Sequence, residues 1–372
     1  MKRDAVPITL PWGLRLKRRW VAMRNRVIGN PRFQAHAARN PLFRFVARRK
    51  AAAMFDLVAG FVYTQTLRAV VESGLLDLLA QGPTSSSAVA SSCELERPAA
   101  VRLLRAGQAL QLVEDVGGDC WMLGEQGAAL RSNNGAQAMI RHHDLLYRDL
   151  VDPLALLRDN RSGETGLSRF WAYGSASADA AEYSNLMAIS QEMVAEQVLA
   201  TKVLARTIAL LDVGGGLGVF TGKVSARYPA MRVGVFDLPP VIEAARRSAV
   251  PERLVLHPGS FFTDPLPVGY DTLSLVRILH DHDDDRALAL LRAARAALAP
   301  GQRLIIAEPM AGIRGAERMG DAYFGLYLWA MRSGRPRRPD EIGAMLLEAG
   351  FASWRSIPTP LPLIASVIVA LA

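Results

Sequence analysis

From residue 206 onward, short apolar runs alternate with helical stretches. The runs are "IALLDV", "RVGVFD", "LVLHPG", "DTLSLVRIL" and "RLIIAEP"; "DDDRALALLRAARAALAPG" is typical of the stretches between them. This alternation constrains the fold more than any other feature. Unbroken apolar runs of this length read as strands buried on both faces, and a helix between two such runs is the crossover that parallel strands require. The expectation is an α/β domain with a parallel sheet, closed by two late strands in "FASWRSI" and "LPLIASVIVAL". The chain has 372 residues, half of them hydrophobic, which suits two or three domains with real cores.

The first of these strands runs into "LLDVGGGLG", and a helix-like stretch follows. Glycines there permit positive φ and let a ligand lie against bare backbone. The dinucleotide fingerprint would place its third glycine at 219, where this chain has Val219; the glycine comes one residue earlier, at Gly218. A second feature supports binding. Asp237 ends the next apolar run, 19 residues after Gly218. A carboxylate at that point can accept both hydroxyls of a ribose. No Lys-Ser/Thr follows the glycines, which argues against a nucleotide triphosphate. The ligand expected is therefore a nucleoside cofactor.

The N-terminal part is different in kind. Residues 1–50 carry 14 Lys/Arg and one acid, a net of +13, whereas the remaining residues sum to −4. Leu16, Trp20, Met23 and Val27 share one helical face, and Trp12 extends it. Such an arm either lies on an anionic membrane or packs on the body or a dimer partner. Residues 51–132 read as helices followed by a hairpin across Gly117-Gly118, the order of a winged helix. The second helix, "RPAAVRLLRAGQAL", offers three arginines amid aliphatics. That composition favours dimerisation over nucleic-acid binding. Residues 133–205 read as a helical linker, and 206–372 as the cofactor-binding domain. Two cysteines, Cys93 and Cys120, fit neither a disulfide framework nor a metal site, so a reducing cytoplasm is expected. No secretory signal is recognised, and the most apolar stretch, 12 residues at the C-terminal end, is too short to span a bilayer.

"LLDVGGGLG", "VFDLPPVI", "GSFF", "VRILHDHDDD" and "AEP" occur in the order and spacing of the S-adenosylmethionine-dependent O-methyltransferases of the plant and acetylserotonin type. The resemblance covers roughly residues 50–372. It implies a Rossmann-like domain with a mostly parallel seven-stranded sheet, preceded by a mainly helical winged-helix dimerisation domain in a homodimer. S-adenosylmethionine would lie on Gly214 and Gly216, with Asp212, Asp237, Leu238, Ser260, Phe261 and Arg277 completing its site. The family usually has Asp where Ser260 stands, and often Lys where Arg277 stands. "NPLFRFVARRKAAAMFDLVAGFVYTQTLRAVVESGLLDLL" further resembles the carotenoid hydroxyl methyltransferases of purple bacteria, which act on a tertiary 1-hydroxyl.

The resemblance also assigns the chemistry. His280 falls at the family's catalytic base, and Glu308 at the carboxylate that would hydrogen-bond a ring nitrogen of that base. His282 falls where the family has Trp and reads as a wall residue. A second family carboxylate, in a late Gly-x-x-Arg-Thr segment, is missing: "SGRPRRPDE" puts Pro336 near its position. Met187, Ser190, His142 and Tyr323 are candidates for an apolar acceptor pocket, although His142 and His143 read more naturally as surface residues. "DAYFGLYLWAM" suits either a greasy acceptor or an ordinary core helix. No metal is expected. The rival acceptors are a bacteriochlorophyll precursor or a polyketide; a rival of another class is a ligand-sensing DNA-binding regulator.

Overall fold

The computed structural model describes residues 11–171, 179–248, 251 and 253–372. Three helices lead: α1 (Trp12–Ile28), α2 (Pro31–Arg39) and α3 (Arg44–Glu72). Asn30 caps α2 by accepting from the amides of Arg32 and Phe33, and Pro31 presets its first turn. Neither α1 nor α2 has a buried residue. Helix α3 runs unbroken across residue 50. Its first two-thirds leaves Phe45, Met54, Phe55, Leu57, Val58 and Phe61 exposed, and its last turns bury Val70 and Val71.

Those two valines join Leu75, Leu79, Val89, Leu104, Val113 and Trp121 in one core. Helices Ser86–Ser92 and Arg97–Ala109 are followed by the antiparallel pair β1 (Val113–Gly117) and β2 (Cys120–Leu123). Gly117 and Gly118 take φ of +93° and +63° to close the hairpin. The expected helix–helix–wing order is present.

The large sheet contains β3 (Ala209–Val213), β4 (Arg232–Asp237), β5 (Val255–Pro258), β6 (Thr272–Val276), β7 (Arg303–Glu308), β8 (Ser353–Ile357) and β9 (Ser366–Leu371). Their order is β5-β4-β3-β6-β7-β9-β8, with β9 antiparallel to both its neighbours and the other pairs parallel. Every residue of β3 and β6 is buried, which is why both read as apolar runs. From β3 the chain builds outward to β5, then returns to β6 on the other side. The strand order thus reverses between β3 and β6, and ligands of such sheets lie at the carboxyl ends beside that point. "DTLSLVRIL" is a strand only as far as Val276; Arg277 takes φ of +58°, and a 3-10 turn follows at Leu279–Asp281. "DAYFGLYLWAM" falls within a π-helical turn, Arg318–Tyr323, and helix Phe324–Met331. That helix packs Tyr327, Leu328 and Met331 on Leu146, Leu156, Leu167 and Trp171, and so belongs to a core. Among the described residues, no helix is long and apolar enough to cross a membrane, and no cluster of three metal-ligating side chains occurs.

Candidate active site

A cleft with about 1260 Å³ of empty space, part of it open solvent, lies at the carboxyl ends of β3, β4 and β6. One bank is the glycine loop. Gly214, Gly216 and Gly218 take φ of +73°, +58° and +77°, a conformation that costs other residues roughly 1–2 kcal/mol each. A Cβ on Gly214 would stand 2.5 Å from Cδ1 of Ile278, whereas one on Gly216 would meet no protein atom within 4 Å. Gly216 lines the cleft, so its bare backbone borders space that a ligand can fill.

Asp237 holds this bank together. Its Oδ2 accepts from the Gly216 amide at 2.8 Å and its Oδ1 from the Leu238 amide at 2.7 Å. Burial raises its pKa above the usual carboxylate value, and the two amides oppose that rise. Both Asp237 and Leu238 line the cleft. Asp212 does not. It is fully buried beneath the loop, where its Oδ1 accepts from Ser274 Oγ at 2.6 Å. A Cβ on Gly215 would lie 2.7 Å from Asp212 Oδ2. Asp212, expected among the cofactor-binding residues, therefore does not line the cleft: the loop backbone covers its carboxyl. Burial pushes its pKa up to about 7.

The far end of the cleft is aromatic. Ser260 and Phe261 line it, with Phe262, His282 and Arg286 beside them. His282 makes edge contacts to both phenylalanines, 5.7 and 5.1 Å between ring centroids, and the Arg286 guanidinium lies 3.9 Å from the Phe262 ring centroid. The wall assignment of His282 fits this geometry. Ser260 donates its amide to Asp264 at 2.7 Å.

The opposite bank is the loop after β6. Arg277, Ile278, Asp281 and His282 line the cleft, while His280 lies behind them, 2% exposed. His280 Nε2 is 3.2 Å from Asp281 Oδ1, and its ring centroid is 5.6 Å from that of Phe324. Burial, together with the charges of Arg277 and Arg337, holds its pKa well below 6.5. Glu308 is fully buried, but its Oε2 accepts from the His280 main-chain amide at 3.0 Å. The expected carboxylate–ring bond is therefore corrected to a carboxyl–backbone bond. His280 Nδ1 and Glu308 Oε1 are both buried, with no hydrogen-bond partner among the described residues. Burial raises Glu308 to about 8, against the opposing charge of Arg337.

The acceptor candidates disperse. Ser190 is buried and accepts from Arg277 at 2.7 Å, so it positions that cleft residue. The side chain of Met187 lies outside the described residues. His142 is buried, contrary to the surface expectation, with Nε2 2.7 Å from Tyr327 Oη, which also accepts from Trp171 Nε1. His143 is likewise part-buried, its Nε2 2.7 Å from Tyr323 Oη. Tyr323 stacks edge-on against Phe324, and Phe324 stands next to His280. Tyr323 is thus one ring removed from the histidine, with His142 farther back in the same cluster. Sequence reasoning missed Asp281, Arg286 and Arg337. Asp281 stands in the quoted "HDHDDD", and Arg337 in a segment read only for the carboxylate it lacks.

Residues 147–352 match the O-methyltransferase domain and residues 55–130 the O-methyltransferase dimerisation domain. The chain belongs to the O-methyltransferase family, in the branch that carries its own dimerisation domain. It is 41% identical over 355 residues to the demethylspheroidene O-methyltransferase of Cereibacter sphaeroides, covering 93% of each chain. Identity to the enzyme of the same name from Rhodobacter capsulatus is 43% over 338 residues, 89% of this chain and 85% of that one. Among solved structures, human N-acetylserotonin methyltransferase in complex with S-adenosylmethionine superposes with a TM-score of 0.74 at 25% identity, over 87% of this chain and 97% of that one.

Proposed function

We propose that this chain transfers a methyl group from S-adenosylmethionine to the tertiary 1-hydroxyl of a carotenoid of the hydroxyneurosporene or demethylspheroidene type, with His280 as general base. The acceptor class is supported by the two relatives above 40% identity, both demethylspheroidene O-methyltransferases. One observation carries the site. The loop that bears His280 lines the same cleft as the glycine loop and Asp237.

The residues present fit the cofactor. Gly214 and Gly216 line the cleft, Gly216 with its backbone uncovered, and Asp237 lines it at the end of β4, where a ribose would be held. When bound, S-adenosylmethionine supplies a methyl group on a sulfonium, open to in-line attack by oxygen. The protein positions that oxygen and removes its proton. His280 is neutral at pH 7, because burial depresses its pKa, and its Nε2 edge faces the cleft-lining Asp281. The Asp281 carboxylate stabilises the imidazolium that forms when the ring takes the proton. An aliphatic alcohol is far less acidic than a phenol, whose pKa is about 10. His280 therefore forms no free alkoxide; the proton leaves as the oxygen attacks, and positioning carries much of the rate. Labelled methyl transfer to hydroxycarotenoids tests this reading. Methyl ether formation is expected, and its absence alongside transfer to a phenolic acceptor overturns the assignment.

So apolar an acceptor resides in a bilayer, and the arm supplies the means to reach it. Residues 11–50 carry 12 Lys/Arg and no acid. Trp12, Leu16, Trp20 and Met23 lie on one face of α1, between 47% and 71% exposed. Each basic residue near an anionic surface contributes about 1 kcal/mol, screened by salt. Deleting residues 1–40 should abolish sedimentation with anionic vesicles while leaving cofactor affinity and the dimer intact. A truncated dimer that still sediments at low salt refutes the anchor.

A further inference from the structure

Residues Ser333–Arg337 lie against the loop that carries His280. Arg337 Nη1 donates to the carbonyl of Leu279 at 2.8 Å, and the Arg335 amide to that of His280 at 3.0 Å. Ser333 Oγ donates to the carbonyl of Asp281 at 2.6 Å, and Arg337 Nη2 to that of His282 at 2.7 Å. Four consecutive carbonyls, 279 to 282, thus each receive a donor from one strap. The strap also lies as close as backbone can: a Cβ on Gly334 would stand 2.0 Å from the His280 carbonyl oxygen. From the other side, Glu308 takes the His280 amide.

Arg337 is the centre of this arrangement. Its side chain is fully buried, yet it bridges two carbonyls of the base loop and pairs with Asp284 at 2.8 Å. A buried guanidinium is costly unless its donors are used, and its planar fork spreads five donors over three nitrogens, whereas an ammonium is a single point charge. The strap coincides with the segment where the expected second carboxylate is replaced by Pro336. The ring of His280 receives nothing from the strap; its backbone receives everything.

We infer that Ser333–Arg337, and Arg337 above all, positions the base of this enzyme by clamping the main chain on both sides of His280. This rests on the reading of His280 as the base. Arg337 acts through His280 and is a positioning residue. It should affect kcat rather than cofactor binding.

The test compares His280→Ala, Arg337→Lys, Ser333→Ala and the double variant Arg337→Lys/His280→Ala in the full-length dimer, with the methyl-transfer assay and calorimetry of S-adenosylhomocysteine binding. Displacement of a reacting group by an ångström costs about 100-fold, so Arg337→Lys should lose roughly 10- to 100-fold in kcat, and Ser333→Ala roughly 3- to 10-fold. S-adenosylhomocysteine affinity and the acceptor KM should stay within about twofold. The double variant should be no slower than His280→Ala, because residues acting as a unit are not additive. A merely structural role predicts multiplied losses and weakened S-adenosylhomocysteine binding, and either result overturns the inference. Should Arg337→Lys fail to fold, the part-buried Ser333 decides, and wild-type kcat in Ser333→Ala overturns the clamp. Wild-type kcat in His280→Ala sinks the base reading and the inference with it. A slow His280→Ala beside unimpaired strap variants sinks the inference alone.

Discussion

The two banks of the cleft solve the same backbone problem differently. β3 and β6 are neighbours, and each ends in a residue of left-handed φ, Gly214 at +73° and Arg277 at +58°. Glycine adopts that conformation freely, whereas an arginine pays roughly 1–2 kcal/mol and must be held there. The glycine bank is held by short-range means: the Gly214 amide bonds the Phe236 carbonyl, and Asp237 bonds the Gly216 amide, both across the adjacent β4. The His280 bank is held from afar. Its bonds run from Arg277 to Ser190, from His280 to Glu308 and from 279–282 to 333–337. A cofactor site can be built from one strand–turn–helix unit and its neighbour. The loop of the proposed base is positioned by several segments at once.

The comparison is broken most severely at His280. Replacing it with alanine should lower kcat at least about 100-fold with S-adenosylmethionine affinity nearly unchanged, as single-turnover kinetics and calorimetry would show. Asp237→Ala should act on the other bank, weakening S-adenosylmethionine roughly 10- to 100-fold by the loss of charge-assisted contacts. Unchanged calorimetric affinity would refute the ribose role. The banks touch at Gly214, which abuts Ile278. Gly214→Ala forces a Cβ against that side chain at an unfavourable φ, so both kcat and cofactor affinity should fall, each by about 10-fold, on the scale of roughly 1–2 kcal/mol for the backbone alone. If only affinity falls, the banks are independent.

Glu308→Gln preserves an acceptor for the His280 amide and should cost a few-fold in kcat, on the order of 3- to 10-fold for one weakened bond. A loss as large as that of His280→Ala would restore the carboxylate to a role at the ring. The smallest effect is on pH dependence. A base works in its neutral form, and burial holds His280 well below 6.5. The acid limb of kcat/KM should therefore lie below pH 6.5, and a limb at or above that value would contradict the buried placement.

What could be read in the sequence was local. Strands β3, β4, β6 and β7 announced themselves because burial on both faces leaves unbroken apolar runs. The glycine turn and Asp237 were legible because both follow from backbone geometry within one strand–turn–helix unit and the strand beside it. The missing second carboxylate was legible too, since Pro336 simply cannot be one. The errors concern partners distant in the chain. Asp212 opens the glycine motif, yet the loop that follows folds over it, and its partner is Ser274, 62 residues on. Glu308 was read as a partner of the ring, but the 3-10 turn at 279–281 presents the His280 amide to it. His142 belongs to a helix with a polar surface pattern, and Tyr327, 185 residues later, buries it. Arg337 carries no local sign of its role. Residue spacing encodes φ, period and burial pattern, and these belong to single elements. Which donor meets which carbonyl depends on how elements far apart in sequence pack, and only the folded chain decided that.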